Sequence, residues 1–259
     1  MNMPKAIFID MDGTLFSHIT KQIPKSALDA LRYAKEKGVL LFIATGRNKI
    51  ELKEITLPYD MSFDGFVVMN GAYCFVDGDI IFKNPLHPEA VAAVIERLEQ
   101  NSFPCIFCEE NHQYINIVNK LVEELQKSVN LPLPPACDPR QALNTEIFQI
   151  VAFGNEEEEA FLRSLQHSKV TQWMEGGYDL VNSTVNKWQG ILHMLRHFSI
   201  APHETAAIGD GENDIEMLIN AGCSVAMGNA ADSVKRHAKF VTSHVDENGL
   251  AEAIDYLIS

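Results

Sequence analysis

The sequence predicts an α/β protein, a parallel-sheet core interrupted by an inserted α+β domain. Two observations carry that expectation. Segments with strand character and segments with helical spacing alternate at both ends of the chain, and the stretch between about 84 and 184 breaks the alternation. Repeated strand–helix units imply a parallel sheet covered on both faces.

The elements follow in order. Lys5 to Asp10 is a short apolar run that suits a buried strand. From Pro24 to Lys37, apolar residues at Ala27, Leu28, Leu31 and Ala34 have helical spacing, with Pro24 suited to a first turn and Gly38 to a C-cap. Val39 to Ala44 reads as a second strand, 48–57 as a helix and Gly65 to Met69 as a third strand. Tyr73-Cys-Phe-Val and Asp79-Ile-Ile-Phe82, joined by Asp77-Gly78, suit a hairpin.

The middle predicts helices at 88–100 and 118–130, the proline-rich Leu131 to Pro135, and a strand from Ile147 to Phe153. A helix near 156–166 and strands near 170–174 and 178–182 complete it. The insertion begins near Asn84-Pro85 and ends near Thr184. Afterwards come a helix from Trp188 to Phe198, a strand from Thr205 to Gly209 and a helix from Asn213 to Asn220. A strand from Cys223 to Met227, a short helix at 231–237, a strand from Lys239 to Thr242 and a helix from Gly249 to Ile258 close the chain.

With 259 residues the chain is long enough for one large domain or two small ones. Hydrophobic residues at 46% and charged residues at 22% exclude a disordered chain, a collagen-like fibre and a disulfide scaffold. A net charge of −14 repels nucleic acid and anionic membrane, so neither is an expected partner. Any bound phosphate must be held by a local positive site. The five cysteines are scattered and no secretory start or membrane-length apolar stretch is visible. A cytoplasmic location with reduced thiols is the expectation.

Four segments carry chemistry. Asp10-Met-Asp12-Gly13-Thr14 ends the first strand, where open α/β sheets bind ligands. Two such carboxylates repel one another unless a cation sits between them, which points to Mg²⁺. Ala44-Thr45-Gly46-Arg47 ends the second strand and offers a hydroxyl and amides to an anion. Lys187 opens a helix, where the macrodipole favours acids, so a lysine there hints at an anionic partner. Gly209-Asp210-Gly211-Glu212-Asn213-Asp214 brings acids and an amide to another strand end.

Taken in that order, these segments resemble the four motifs of the haloacid dehalogenase (HAD) superfamily of phosphohydrolases. Asn70-Gly71-Ala72, the long insertion and the run Ala226-Met227-Gly228-Asn229-Ala230 narrow the resemblance to the Cof-like group with a type IIB cap. The third motif departs from the Ser-Lys-Gly common in that group, reading Asn186-Lys187-Trp188-Gln189-Gly190. The resemblance implies a Rossmann-like catalytic core at 1–84 and 185–259 and an inserted cap at 85–184.

It also implies roles. Asp10 is the expected nucleophile, forming an aspartyl-phosphate, and Asp12 the expected general acid and base. The Asp10 carboxylate, the Asp12 backbone carbonyl and the Asp210 carboxylate are expected to hold Mg²⁺. Asp214 is expected to bind the metal through water or to orient its ligands. Met11, Thr45, Gly46, Lys187 and Asn213 are the expected phosphate-binding residues. Arg47, Asn70, Asn182 and the segment near His112 are candidates for touching the rest of the substrate.

The expected activity is hydrolysis of a small phosphorylated metabolite, with a sugar phosphate favoured. A phosphomutase of the phosphomannomutase type and a phosphometabolite-binding regulator are the alternatives, and a monomer or homodimer is expected. Cys105-x-x-Cys108 with His112 is read as packing rather than a zinc site, since no second pair lies nearby. His193 and His197 lack the Glu of a His-Glu-x-x-His helix, and Gly209-x-Gly211 lacks the third glycine of a dinucleotide fingerprint.

Overall fold

The computed structural model describes residues 3–259; residues 1 and 2, with which the first expected core segment begins, lie outside the described residues. The chain forms two compact units. The first takes the chain up to Thr45, Thr56–Phe82 and Asn186–Ser259; the second takes Gly46–Ile55 and Lys83–Val185. The sequence reading assigned 46–55 to the core segment. The structure groups it with the second unit, where Arg47 Nη2 donates to Val129 O at 3.0 Å and Asn48 Nδ2 to Gln113 Oε1 at 2.7 Å.

In chain order the first half runs β1 (Ala6–Ile9), α1 (Lys25–Glu36), β2 (Leu40–Ala44), α2 (Lys49–Thr56), β3 (Gly65–Val68), β4 (Tyr73–Val76) and β5 (Asp79–Lys83). Then come α3 (Pro88–Gln100), β6 (Cys105–Cys108), β7 (Gln113–Ile115), α4 (Lys120–Ser128), β8 (Gln149–Phe153), α5 (Glu156–Ser164), β9 (Ser168–Met174) and β10 (Gly177–Asn182). The chain closes with α6 (Lys187–Phe198), β11 (Thr205–Gly209), α7 (Ile215–Asn220), β12 (Cys223–Ala226), α8 (Asp232–Lys235), β13 (Phe240–Val241) and α9 (Gly249–Ile258).

The first unit is built on a sheet of order β13-β12-β11-β1-β2-β3-β4-β5. The pairs from β13 through β3 are parallel, and β4 turns back antiparallel on β3. Strand β1 is wholly buried, as a central parallel strand must be. Phe8 and Phe42 stack at 4.7 Å on the face that receives Trp188, Ile191 and Met194 of α6 and Met217 of α7. Helices α1 and α9 pack together. The order reverses at β1, since the chain leaves it for β2 and returns to its other side with β11. Crevices beyond the strand C-termini at such a reversal are where open α/β sheets hold ligands.

The second unit carries an antiparallel sheet of order β7-β6-β8-β10-β9. Val91, Val94 and Leu98 of α3 and Leu162 of α5 share one core with Phe107, Ile150, Ala152 and Leu180 of that sheet. Helix α5 opens on a capping box in which Asn155 Oδ1 accepts from Glu157 N and Glu158 Oε2 from Asn155 N. The sequence reading gives no strand bounds within 105–116, where β6 and β7 lie. Runs of four and three residues carry too little period to read alone, and they become strands by pairing with β8 and with each other. Where the insertion meets the core segments, Asn182 Nδ2 donates to Pro85 O at 3.0 Å and Asn84 Nδ2 to Thr184 Oγ1 at 2.9 Å. Asn182 therefore serves to stitch the two crossing strands together.

Candidate active site

The site begins with register. Ile9 of β1 pairs with Ile208 of β11, and Asp10 N donates to Ile208 O at 3.0 Å. Asp10 and Asp210 thus leave two adjacent parallel strands at nearly the same level. Gly13 allows the loop after β1 to lie directly against Asp210. It has φ +75°, and a Cβ there would stand 2.3 Å from Asp210 Oδ2. Only glycine combines that backbone conformation with that approach.

After β11 the chain turns through 212–214 before α7 starts, so the helix expected from Asn213 begins two residues later. Asp214 causes the turn. Its Oδ2 accepts from Asp210 N and Gly211 N, each at 2.9 Å, while its side chain is sealed from solvent. Asp214 is a loop-forming carboxylate, not a solvated acid at a helix start.

Lys187 is held at the start of α6. Asn186 caps that helix, its Oδ1 accepting from Gln189 N at 2.8 Å, and its Nδ2 donates to Glu216 Oε2. Gly71, at φ +94°, lets the 69–71 turn lie directly against this start; a Cβ there would meet Asn186 O at 2.1 Å. Lys187 Nζ then lies 2.6 Å from Asp10 Oδ1 and 2.6 Å from Asp214 Oδ1, with the lysine 1% exposed.

Charge does not balance here. Asp10, Asp210 and Asp214 each turn one carboxylate oxygen into a cluster in which all lie within 4.8 Å of one another. Against them stands the single Lys187 ammonium. Burial, and then the Asp214 carboxylate, push Asp10 well above the ordinary carboxylate range, with Lys187 pulling the other way. The same two causes push Asp210 up to about 6. Burial opposes the Lys187 ammonium, but Asp10 and Asp214 outweigh it and hold the lysine charged. A surplus of dry carboxylate is the environment a divalent cation neutralises. The donors are hard oxygens, a set that suits a hard divalent cation such as Mg²⁺ better than a soft one. Among the described residues this is the one such group.

Two side chains hold Asp210. Thr14 Oγ1 donates to its Oδ1 at 3.0 Å, and Asn229 Nδ2 lies 3.0 Å from its Oδ2. Asn229 Nδ2 also donates to Gly13 O at 2.9 Å, and Asn229 Oδ1 accepts from Val245 N at 3.0 Å. The residue reading did not single out Asn229 as a site residue; its signal was the Gly228-Asn229 turn immediately after another strand of the same edge.

The other expected residues are distributed as follows. Thr45 is buried at the end of β2, and its carbonyl accepts from Asn70 N at 3.0 Å. Asn213 Nδ2 donates to Asn70 Oδ1 at 2.9 Å, so Asn70, in a left-handed conformation with φ 54°, joins the second and fourth motifs. Met11 is buried, and its carbonyl accepts from Leu15 N and Phe16 N, which tightens the loop around Asp12. Asp12 is partly exposed, with Oδ1 lying 3.2 Å from His18 Nε2. Gly46 and Arg47 belong to the second unit. Asn48 caps α2, with Oδ1 accepting from Ile50 N and Glu51 N. Cys105 and Cys108 are buried on β6, and burial raises both thiols, as packing cysteines require. His193 stacks on Phe82 at 3.7 Å.

The fold and this aspartate cluster define an α/β protein with an acidic site at the C-terminal edge of its parallel strands. Residues 7–254 match the model of the haloacid dehalogenase-like hydrolases. The chain is 31% identical over 254 residues to “Putative phosphatase YkrA” of Bacillus subtilis (strain 168), covering 98% of this chain and 97% of that one. Among solved structures it is similar to the HAD subclass IIB sugar phosphatase BT4131, with 37% identity, a TM-score of 0.86, and 97% and 98% of the two chains covered. BT1666 from Bacteroides thetaiotaomicron, described among the phosphatases of the same superfamily, has 31% identity and a TM-score of 0.87, with 98% and 95% covered. The chain belongs to the haloacid dehalogenase-like hydrolase family, as its four motifs led us to expect. It is an enzyme, and the three relatives named above are described as phosphatases.

Proposed function

We propose that this protein is a Mg²⁺-dependent phosphatase that hydrolyses a small phosphorylated metabolite, a sugar phosphate, through an aspartyl-phosphate. The observation that carries the reading is the buried cluster of Asp10, Asp210 and Asp214 around one lysine, with Nζ 2.6 Å from Asp10. The similarity to a named sugar phosphatase supports the substrate class.

Asp10 attacks phosphorus, and the bond to the leaving oxygen breaks as Asp12 delivers its proton there. Asp12 then takes a proton from water, which attacks the phosphoryl group and regenerates Asp10. Lys187 opposes protonation of Asp10 and orients its carboxylate, and it stabilises charge on the phosphoryl oxygens. Thr45, the Met11 and Gly46 amides and Asn213 bind those oxygens, with Asn70 orienting Asn213. Asp10 and Asp210, with the Asp12 carbonyl, would hold the metal, and Asp214 sets the loop that carries Asp210. When bound, the cation neutralises the phosphoryl group and the carboxylates around it.

We assign 1–84 and 185–259 to the catalytic core, apart from 46–55, which is grouped with the second unit, and 85–184 to the cap, the part that selects the leaving group and excludes water. Cytoplasmic residence fits the five free cysteines. Among the described residues no helix is long and apolar enough to cross a membrane.

The test is phosphate release from a panel of sugar phosphates, nucleotides, pyridoxal phosphate and flavin mononucleotide. Release should require both Mg²⁺ and Asp10, and sugar phosphates should rank first. Conversion of a hexose 1-phosphate to its 6-phosphate without free phosphate would replace hydrolysis by mutase chemistry. Release that survives Asp10→Asn would overturn the nucleophile.

A further inference from the structure

The loop after β1 carries a residue that no motif contains. Its backbone is tightly tied: Gly13 N donates to Phe16 O at 2.9 Å, and Phe16 N to Met11 O at 2.7 Å. Ser17 N donates to Gln22 O at 3.0 Å, and Ser17 Oγ accepts from Ile19 N and Thr20 N. Phe16 and Ser17 are buried. His18 is thus presented by a fixed turn, and its ring meets the edge of Phe16 at 5.8 Å and 82°.

The two ring nitrogens face different surroundings. Nε2 lies 3.2 Å from Asp12 Oδ1. Nδ1 is buried and has no hydrogen-bond partner. A dry N–H without an acceptor costs more than a dry lone pair on a ring held against Phe16. Nε2, with the Asp12 oxygen beside it, is therefore the nitrogen placed to donate. As a stabilising contact this half-exposed pair is worth little. As a constraint on the carboxyl that must meet a leaving oxygen it matters, because proton transfer depends on placement within hydrogen-bond reach.

We propose that His18 is a positioning residue for Asp12. Its Nε2–H donates to Oδ1 and fixes the carboxyl plane, so that the proton delivered in the first step is carried on Oδ2. In that step the Oδ2–H bond breaks, the proton goes to the leaving oxygen as its bond to phosphorus breaks, and Asp10 gains the phosphorus. The inference rests on the acid–base reading of Asp12 given above.

The test compares leaving groups. p-Nitrophenolate departs without a proton, whereas the alkoxide of a sugar phosphate needs one. kcat/KM reports the steps through departure of the alcohol. The probes are p-nitrophenyl phosphate and glucose 6-phosphate, or the best primary-alkyl monoester of the panel. His18→Ala should lower kcat/KM for the alkyl ester at least about tenfold further than for the aryl ester. His18→Gln, which can place an N–H at the same reach, should recover most of that difference. Thermal unfolding of both variants establishes that they are folded. Equal losses on the two esters, no loss on either, or no recovery with Gln would overturn the proposal. Asp12→Asn run in parallel separates the two levels. If it too spares the aryl ester selectively, the acid reading stands and His18 is judged on its own result. If its losses are equal, the acid reading falls, and the role of His18 falls with it.

Discussion

The Lys187 ammonium lies 2.6 Å from Asp214 Oδ1, and both side chains are closed off from solvent. A buried lysine persists only with partners, and breaking such a pair strands the charge that remains. Lys187→Met should therefore destabilise chelator-treated protein by about 3–5 kcal/mol, read from urea unfolding. Adding Mg²⁺ should return part of that loss, because a cation answers the same carboxylates. A variant as stable as the parent in chelator would mean that the ammonium is not offsetting these acids.

The pH dependence of the metal-free protein follows from Asp210. Burial and Asp214 raise its folded pKa to about 6, above the 3.8 of a free aspartate. The folded state then holds more protons than the unfolded state between those values, so stability falls as pH rises through that window. Chelated wild type should lose thermal stability between about pH 4 and 6 relative to Asp210→Asn, which has no proton to release. The difference should vanish once Mg²⁺ is added in excess. Parallel curves in chelator would contradict the assigned crowding.

Asn229 spans Gly13 O and Asp210 Oδ2, so it positions the carboxylate proposed as a metal ligand. Removing such an outer partner typically costs 10–100-fold in metal affinity or activity. Asn229→Ala should raise the Mg²⁺ concentration for half-maximal activity by about 10-fold or more, with a smaller change in kcat at saturating metal. An unchanged metal titration would leave Asn229 as a loop brace alone.

Gly13→Ala tests the close approach. A methyl 2.3 Å from Asp210 Oδ2, on a backbone at φ +75°, must displace either the loop or the ligand. The left-handed conformation alone costs roughly 1–2 kcal/mol for a residue with a side chain. Phosphatase activity should drop by at least about 100-fold, and metal-induced thermal stabilisation should shrink with it. Full activity would show that Asp210 has room to move.

Much of the site was legible because its chemistry is clustered in short segments. Asp10, Asp12, Asp210 and Asp214 stand at strand ends that their own apolar runs announce, and the helices at 25–36 and 88–100 were visible from period and flanking proline. What was not legible has physical reasons. Strands of three or four residues at 105–115 have no period to read and form only by pairing. The placement of 46–55 depends on Arg47 and Asn48 finding Val129 and Gln113, more than sixty residues away. His18 and Asn229 act through single distances that no spacing rule encodes.

The sequence by itself determined the class of fold, the edge of the sheet that carries chemistry and the identities of the charged groups, because alternation and strand-end residues are local properties. Only the tertiary structure decided that Lys187 pairs with Asp10 across 177 positions and with Asp214 across 27. It alone decided that Asp214 serves its own loop, and that three carboxylates lie close enough to hold one cation. Those outcomes depend on register between parallel strands and on burial, and both exist only once distant segments have packed.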